Sequence, residues 1–251
     1  METEDNPKII YQRSLDNLGV SFEPIFINKS LEDGLADLVK IAQEEEHEAA
    51  WLYVPYFGEW HNLALKKIKP DEVIAYYGVT GEGIIEREWP DFGDIKKTHY
   101  HTHPKSFIEN ELRKVLTKTR ELNPDLPERI MSTVEILQRK IMYTVLSLPS
   151  YGDMDSYIDF AVNHGMDNTD FCVVSPHFIV QTVIDPNSIS ANAEEEYLAI
   201  YQIISPAIAK EKGRASLDMP IAELAKETCR RINSQIPGLS ISIREHQGTG
   251  K

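Results

Sequence analysis

Three histidines recur at every second position in the stretch Thr98, His99, Tyr100, His101, Thr102, His103, Pro104. In an extended chain alternate side chains project to one face, so all three imidazoles point the same way. On a helix residues two apart diverge, and this spacing could not chelate. Pro104 has no N–H for a sheet ladder and stops the strand. Two imidazoles on one face at a strand end make the first half of a zinc site. A carboxylate follows at a distance: Ser150 and Asp153 stand as S-x-x-D after Pro149. Pro149, Ser150 and Gly152 mark a turn, and the residues from Asp155 onward read as a helix start. S-x-x-D is also the pattern of a helix cap, its commoner meaning in isolation.

Taken together, His101, His103 and Pro104 followed by Pro149, Ser150 and Asp153 resemble the signature of the JAMM (MPN-plus, or JAB) zinc metalloproteases. That family also needs a glutamate on an earlier strand, and the matching residue is Glu48, just before an apolar run to Val54. Phe171 to Pro176 resembles the family's strand after the S-x-x-D helix, and the likeness covers about residues 22–185. The resemblance implies Zn²⁺ held by His101, His103 and Asp153, with a fourth position left for water. It gives Glu48 the role of proton shuttle and Ser150 that of a hydrogen-bond donor to the tetrahedral oxyanion. The activity implied is hydrolysis of peptide or isopeptide bonds, with a peptide or a ubiquitin-like protein conjugate as substrate. The fold implied is the cytidine-deaminase-like JAB/MPN layout, a mixed sheet sandwiched by helices. Two departures stand out. The long spacer between His103 and Ser150 implies an insertion. Trp51 stands where the family often has glycine, which leaves Glu45, Glu46 and Glu59 open beside Glu48 as the base.

Other classes compete. A non-catalytic MPN-like scaffold would use the same sheet to bind partners. A cupin-like metal oxygenase also carries H-x-H on a strand, but Glu109 is poorly placed for its downstream glutamate. His99 reads as an outer partner or surface residue, and His47, His61, His164 and His177 as structural or surface residues. Asp155 is the weaker rival of Asp153 as ligand.

Composition narrows the field. Lysines and arginines number 26 and acids 40, so the net charge is 26 − 40 = −14. That disfavours a general nucleic-acid binder, which needs a basic footprint, and adhesion to anionic membranes. Two cysteines, Cys172 and Cys229, are no disulfide framework in 251 residues. The acidic N-terminus has no apolar core of a signal peptide, and no apolar run approaches a membrane span, so a cytoplasmic location is expected.

The positioning elements follow from punctuation and periodicity. Pro24 to Ile27 reads as a strand. Ser30, followed by acids, starts a helix with apolar residues from Leu31 to Ala42. Strands are expected over residues 50–56, 62–68, 72–79 and 95–100, with Gly58, Pro70 and Gly81 between them. Aromatics in this part, Trp60 among them, read as sheet core. Residues 105–148 carry two apolar stripes broken by Pro124 and Pro127, a helical hairpin that could serve as a substrate lid or a dimer arm. A helix from Ser150 to about Asn163 precedes one or two strands over 171–184. Helices over 193–212 and 219–235 and a strand over 239–244 complete the chain. The expectation is an α/β (α+β) fold with a metalloprotease domain over 1–192 and a C-terminal helical extension over 193–251.

Overall fold

A computed structural model describes residues 26–27, 29–45, 48–55, 58–62, 96–163 and 168–246. The strand expected over 72–79, most of that over 62–68 and the end of the tail lie outside the described residues, as do Glu46, His47 and His164.

The fold is mixed α/β. Among the described residues seven strands form one sheet in the order β1-β3-β2-β4-β5-β6-β7. They are β1 (Phe26–Ile27), β2 (Ala50–Val54), β3 (Glu59–Asn62), β4 (Lys97–Thr102), β5 (Thr169–Val174), β6 (Phe178–Ile184) and β7 (Leu239–Glu245). Only β4 and β5 run parallel; the other neighbours are antiparallel. The parallel pair needs a long crossover. It is supplied by α2 (Lys105–Leu122), α3 (Glu128–Val145) and α4 (Tyr151–Asn163).

The two sheet faces carry separate cores. Period-two alternation sends Phe171, Val173, Phe178, Val180 and Ile241 to one face. There they pack with residues of α3, α4, α5 (Ala193–Lys212) and α7 (Ile221–Asn233). The other face presents Trp51, Trp60, Tyr100, Cys172 and Val174 to α1 (Leu31–Glu44). Cys172 and Cys229 are buried in different cores as free thiols.

Ser30 caps α1: its Oγ accepts the Asp33 N–H at 3.1 Å, and Glu32 and Asp33 complement the helix N-terminus. Gly34 lets α1 close onto the sheet. Trp60 is fully buried, and a Cβ on Gly34 would lie 2.1 Å from its Cε2. The strand expected from Asn62 begins earlier, at Glu59, because the chain reverses at once after Val54. Gly58, at φ 63°, closes that turn with its N–H on the Val54 carbonyl at 3.0 Å.

The hairpin of α2 and α3 is present as expected. Glu109 ties its arms together, accepting from Arg139 at 2.7 Å and from the Tyr143 hydroxyl. Phe107, Leu122, Ile130 and Ile136 remain exposed on it. Lys140 reaches from α3 to carbonyls of Ser216, Leu217 and Met219 at the end of α6 (Ala215–Asp218), binding the hairpin to the C-terminal segment. That segment enters the sheet through β7, paired with β6 along its whole length. The outer edge of β7 is capped: the Asn233 amide donates to the Ile241 carbonyl at 2.9 Å and accepts its N–H at 2.8 Å. Among the described residues no helix is long and apolar enough to cross a membrane.

The Gly34–Trp60 approach is testable. Gly34→Ala should destabilise the fold by about 1–3 kcal/mol, because the indole must move within a filled core. A lowered urea midpoint with an unchanged slope is the expected result.

Candidate metal centre

The site is built where β4 ends. His99, His101 and His103 lie on one side of the strand, facing α4, while Thr98, Tyr100 and Thr102 face the other way. His101 and His103 are buried, and the first turn of α4 brings Asp153 to them. His101 Nε2 lies 3.1 Å from His103 Nε2 and 3.3 Å from Asp153 Oδ1; His103 Nε2 lies 3.4 Å from Asp153 Oδ2. Ligands about 2.1 Å from a tetrahedral ion stand about 3.4 Å from one another, and one atom of each residue lies within 4.8 Å of the others, so the three can converge on one ion. His101, His103 and Asp153 could hold a metal ion, and they are the one such group among the described residues.

S-x-x-D forms a helix-capping box whose aspartate also faces the histidines. Ser150 Oγ accepts the Asp153 N–H at 3.2 Å, and Asp153 Oδ2 accepts the Ser150 N–H at 2.7 Å. This reciprocal box starts α4 and fixes the rotamer that turns the carboxylate toward the histidines. Ser150 itself is exposed. Asp155 lies beside Glu194 instead: burial, then the hydrogen bond and negative charge of Glu194, raise it above the ordinary carboxylate value.

Glu48 stands just before β2. Ala50 pairs with His101, so the antiparallel register carried two residues on sets Glu48 opposite His103 on the same face. Thr102 secures this approach: its Oγ1 accepts the Ala49 N–H at 2.8 Å, and its own N–H donates to the Ala49 carbonyl at 2.9 Å. The Glu48 carboxylate is half-buried and near enough to act electrostatically on His103. Glu59 pairs with Val54, at the far end of β2, about 13 Å along the strand from Ala50. Glu45 is exposed beyond the end of α1. Glu109 is engaged with Arg139 and Tyr143. His177 packs edge-on against Tyr143 and is not part of the group formed by His101, His103 and Asp153.

Sequence reasoning missed two residues. Leu146, just past α3, offers its carbonyl to His103 Nδ1 at 2.7 Å. A carbonyl only accepts, so Nδ1 carries a proton, and the proton that His103 must give up to bind a metal is the one on Nε2, which faces the site. Tyr157 places its hydroxyl 3.1 Å from His101 Nδ1. A backbone carbonyl leaves no mark in a sequence, but Tyr157 stands four residues after Asp153, on the same helical face.

Charge completes the site. Burial alone would raise Asp153, but the charge and hydrogen bonds of His101 and then His103 hold it well below the ordinary carboxylate range. Burial would lower His103, yet the hydrogen bond and charge of Asp153, the charge of Glu48 and the Leu146 carbonyl raise it to about 9. Burial, then the charge of His101, hold His99 well below its ordinary value, so this fully buried imidazole is neutral and not a surface residue. Burial and the charge of Asp153 keep Tyr157 a neutral phenol.

Comparison with protein-family models, with curated proteins and with solved structures yields no match to the chain.

Two outcomes follow from His103. Its value in the folded protein lies above the ordinary 6.5. Its proton therefore stabilises the metal-stripped fold fully below about pH 6.5, and that contribution fades as pH rises through about 9. A metal must displace the same proton, so affinity measured against a competing chelator should rise about tenfold per pH unit below 9 and then level off. Shortening the hairpin also separates its parts: replacing residues 113–138 by a short loop should leave metal affinity unchanged. Replacing 105–147, which removes Leu146, should weaken it about 10- to 100-fold.

Proposed function

We propose that the protein is a zinc-dependent hydrolase of JAMM type that cleaves peptide or isopeptide bonds in a peptide or ubiquitin-like protein conjugate. The observation that carries this reading is the convergence of His101, His103 and Asp153 donor atoms beside Glu48 on the same sheet face. Two nitrogens and one carboxylate oxygen are a donor set suited to catalytic zinc, which keeps a coordination position free. The order of parts also agrees with that family: a glutamate before a strand, H-x-H-P at a strand end, and S-x-x-D opening the helix that leads to the next parallel strand. The JAB/MPN fold is part of the same proposal, with α2 and α3 as its insertion.

Zinc, when bound, would polarise the scissile carbonyl and bring the pKa of water toward 7. The chain's own residues do the rest. His101 and His103 enter as neutral ligands through Nε2, each with Nδ1 occupied elsewhere. Glu48 takes a proton from the attacking water and delivers it to the leaving amine, which must be protonated to depart. Ser150 donates its hydroxyl proton to the oxygen on which negative charge develops; accepting the Asp153 N–H leaves that proton available. Two buried free thiols agree with a reducing, cytoplasmic setting.

Glu48→Gln keeps the shape and removes the base. It should abolish amide hydrolysis while zinc content and melting temperature stay at wild-type values. Ser150→Ala should lower turnover by about 10²- to 10³-fold. It should also lower stability by about 1 kcal/mol, because it removes the cap of α4. Glu45→Gln and Glu59→Gln should remain active. Full activity in Glu48→Gln would move the base elsewhere. A zinc-loaded wild type that cleaves no peptide or isopeptide bond would favour the scaffold reading.

A further inference from the structure

We infer that Tyr157 is a positioning residue for the metal site: its hydroxyl oxygen accepts the Nδ1 proton of His101 and so presents Nε2 to the ion. The inference rests on the reading of His101 as a metal ligand and adds a partner to it. The two histidines are held by different chemistry. His103 donates to a backbone carbonyl, which fixes its proton on Nδ1. His101 faces a hydroxyl at 3.1 Å, which can donate or accept. With Nε2 directed at a metal, the proton of neutral His101 must sit on Nδ1, and Tyr157 Oη is the acceptor beside it.

Tyr157 is built for a fixed role. It is buried, and its ring stacks on Phe171 with centroids 4.2 Å apart and planes 17° apart. Phe171 pairs with His99 on β5, so the sheet that carries the histidines also carries the surface holding the tyrosine. Asp153 and Tyr157 lie one turn apart on α4. A single rigid helix therefore sets both a metal ligand and the partner of another ligand. Without the hydroxyl, a buried imidazole N–H would lose its acceptor, and the ring would turn more freely about its bond to the strand.

Tyr157→Phe tests this, since it keeps the stack and removes only the oxygen. Zinc affinity, read by competition with a chromophoric chelator, should fall about 10- to 100-fold. Leu224→Ala is the packing control, since this residue is buried in the same core but takes no part in the stack: it should lower the melting temperature yet leave zinc affinity near wild type. In wild-type protein labelled with ¹⁵N-histidine and loaded with zinc, His101 should show a slowly exchanging Nδ1 proton. This reading is independent of whether the variant folds. Unchanged zinc affinity in Tyr157→Phe, an equal loss in Leu224→Ala, or a rapidly exchanging His101 Nδ1 proton in the wild type would overturn the inference. A wild type that binds no zinc would overturn the metal reading and this inference with it, whereas a zinc-binding wild type matched by Tyr157→Phe would overturn only the second.

Discussion

The pairing of β4 on both sides is the constraint from which the rest of the site follows. β4 runs antiparallel to β2 and parallel to β5, and all its residues are buried. A strand held this way cannot slip by one residue without turning its histidines into the opposite core and its tyrosine and threonines into theirs. The parallel partner adds a second demand: the chain must cross over from the end of β4 to the start of β5. The crossover passes directly over His101 and His103, and its last helix delivers Asp153 as it returns. The candidate ligand set is thus a product of topology as much as of composition.

Much of this was legible beforehand. His101 and His103 could be placed because a period of two has one meaning in a strand. Asp153 could be placed because a turn followed by S-x-x-D opens a helix. The boundaries of α2 and α3 follow from the prolines and apolar stripes. The strand after β2 was expected too late, since the aromatic run conceals a turn that Gly58 closes immediately after Val54. Tyr157 was hidden by its own suitability for the core: a tyrosine on an apolar helical face reads as packing, and its stack on Phe171 is indeed packing. Only the position of one oxygen gives it more to do. The Gly34–Trp60 contact joins residues from different elements, and no local pattern announces it.

The hairpin has a different standing once Leu146 is placed. Read as an insertion, it suggests a lid or arm that could be altered without touching the metal. Its inner end orients His103, and Lys140 on the same helix gathers carbonyls at the end of α6. The outer part of the hairpin lies beyond both ends that adjoin the site, Lys105 after His103 and Pro104 on one arm and Leu146 on the other. The outer surface of the hairpin and the geometry of the candidate metal site can therefore vary separately along one pair of helices.

Asn233 bears on how molecules of this protein meet. The final strand of an open sheet offers unpaired amides and carbonyls that another chain could extend. The Asn233 side chain occupies both polar groups of Ile241 as a neighbouring strand would, but it ends there and offers nothing to a further strand. Growth of the sheet by edge-to-edge addition is interrupted in the middle of β7. Replacing one amide side chain by a small apolar one would leave the fold paired on its inner side and open a longer ladder to the outside. Solubility at high concentration, more than melting temperature, is the property that this residue protects.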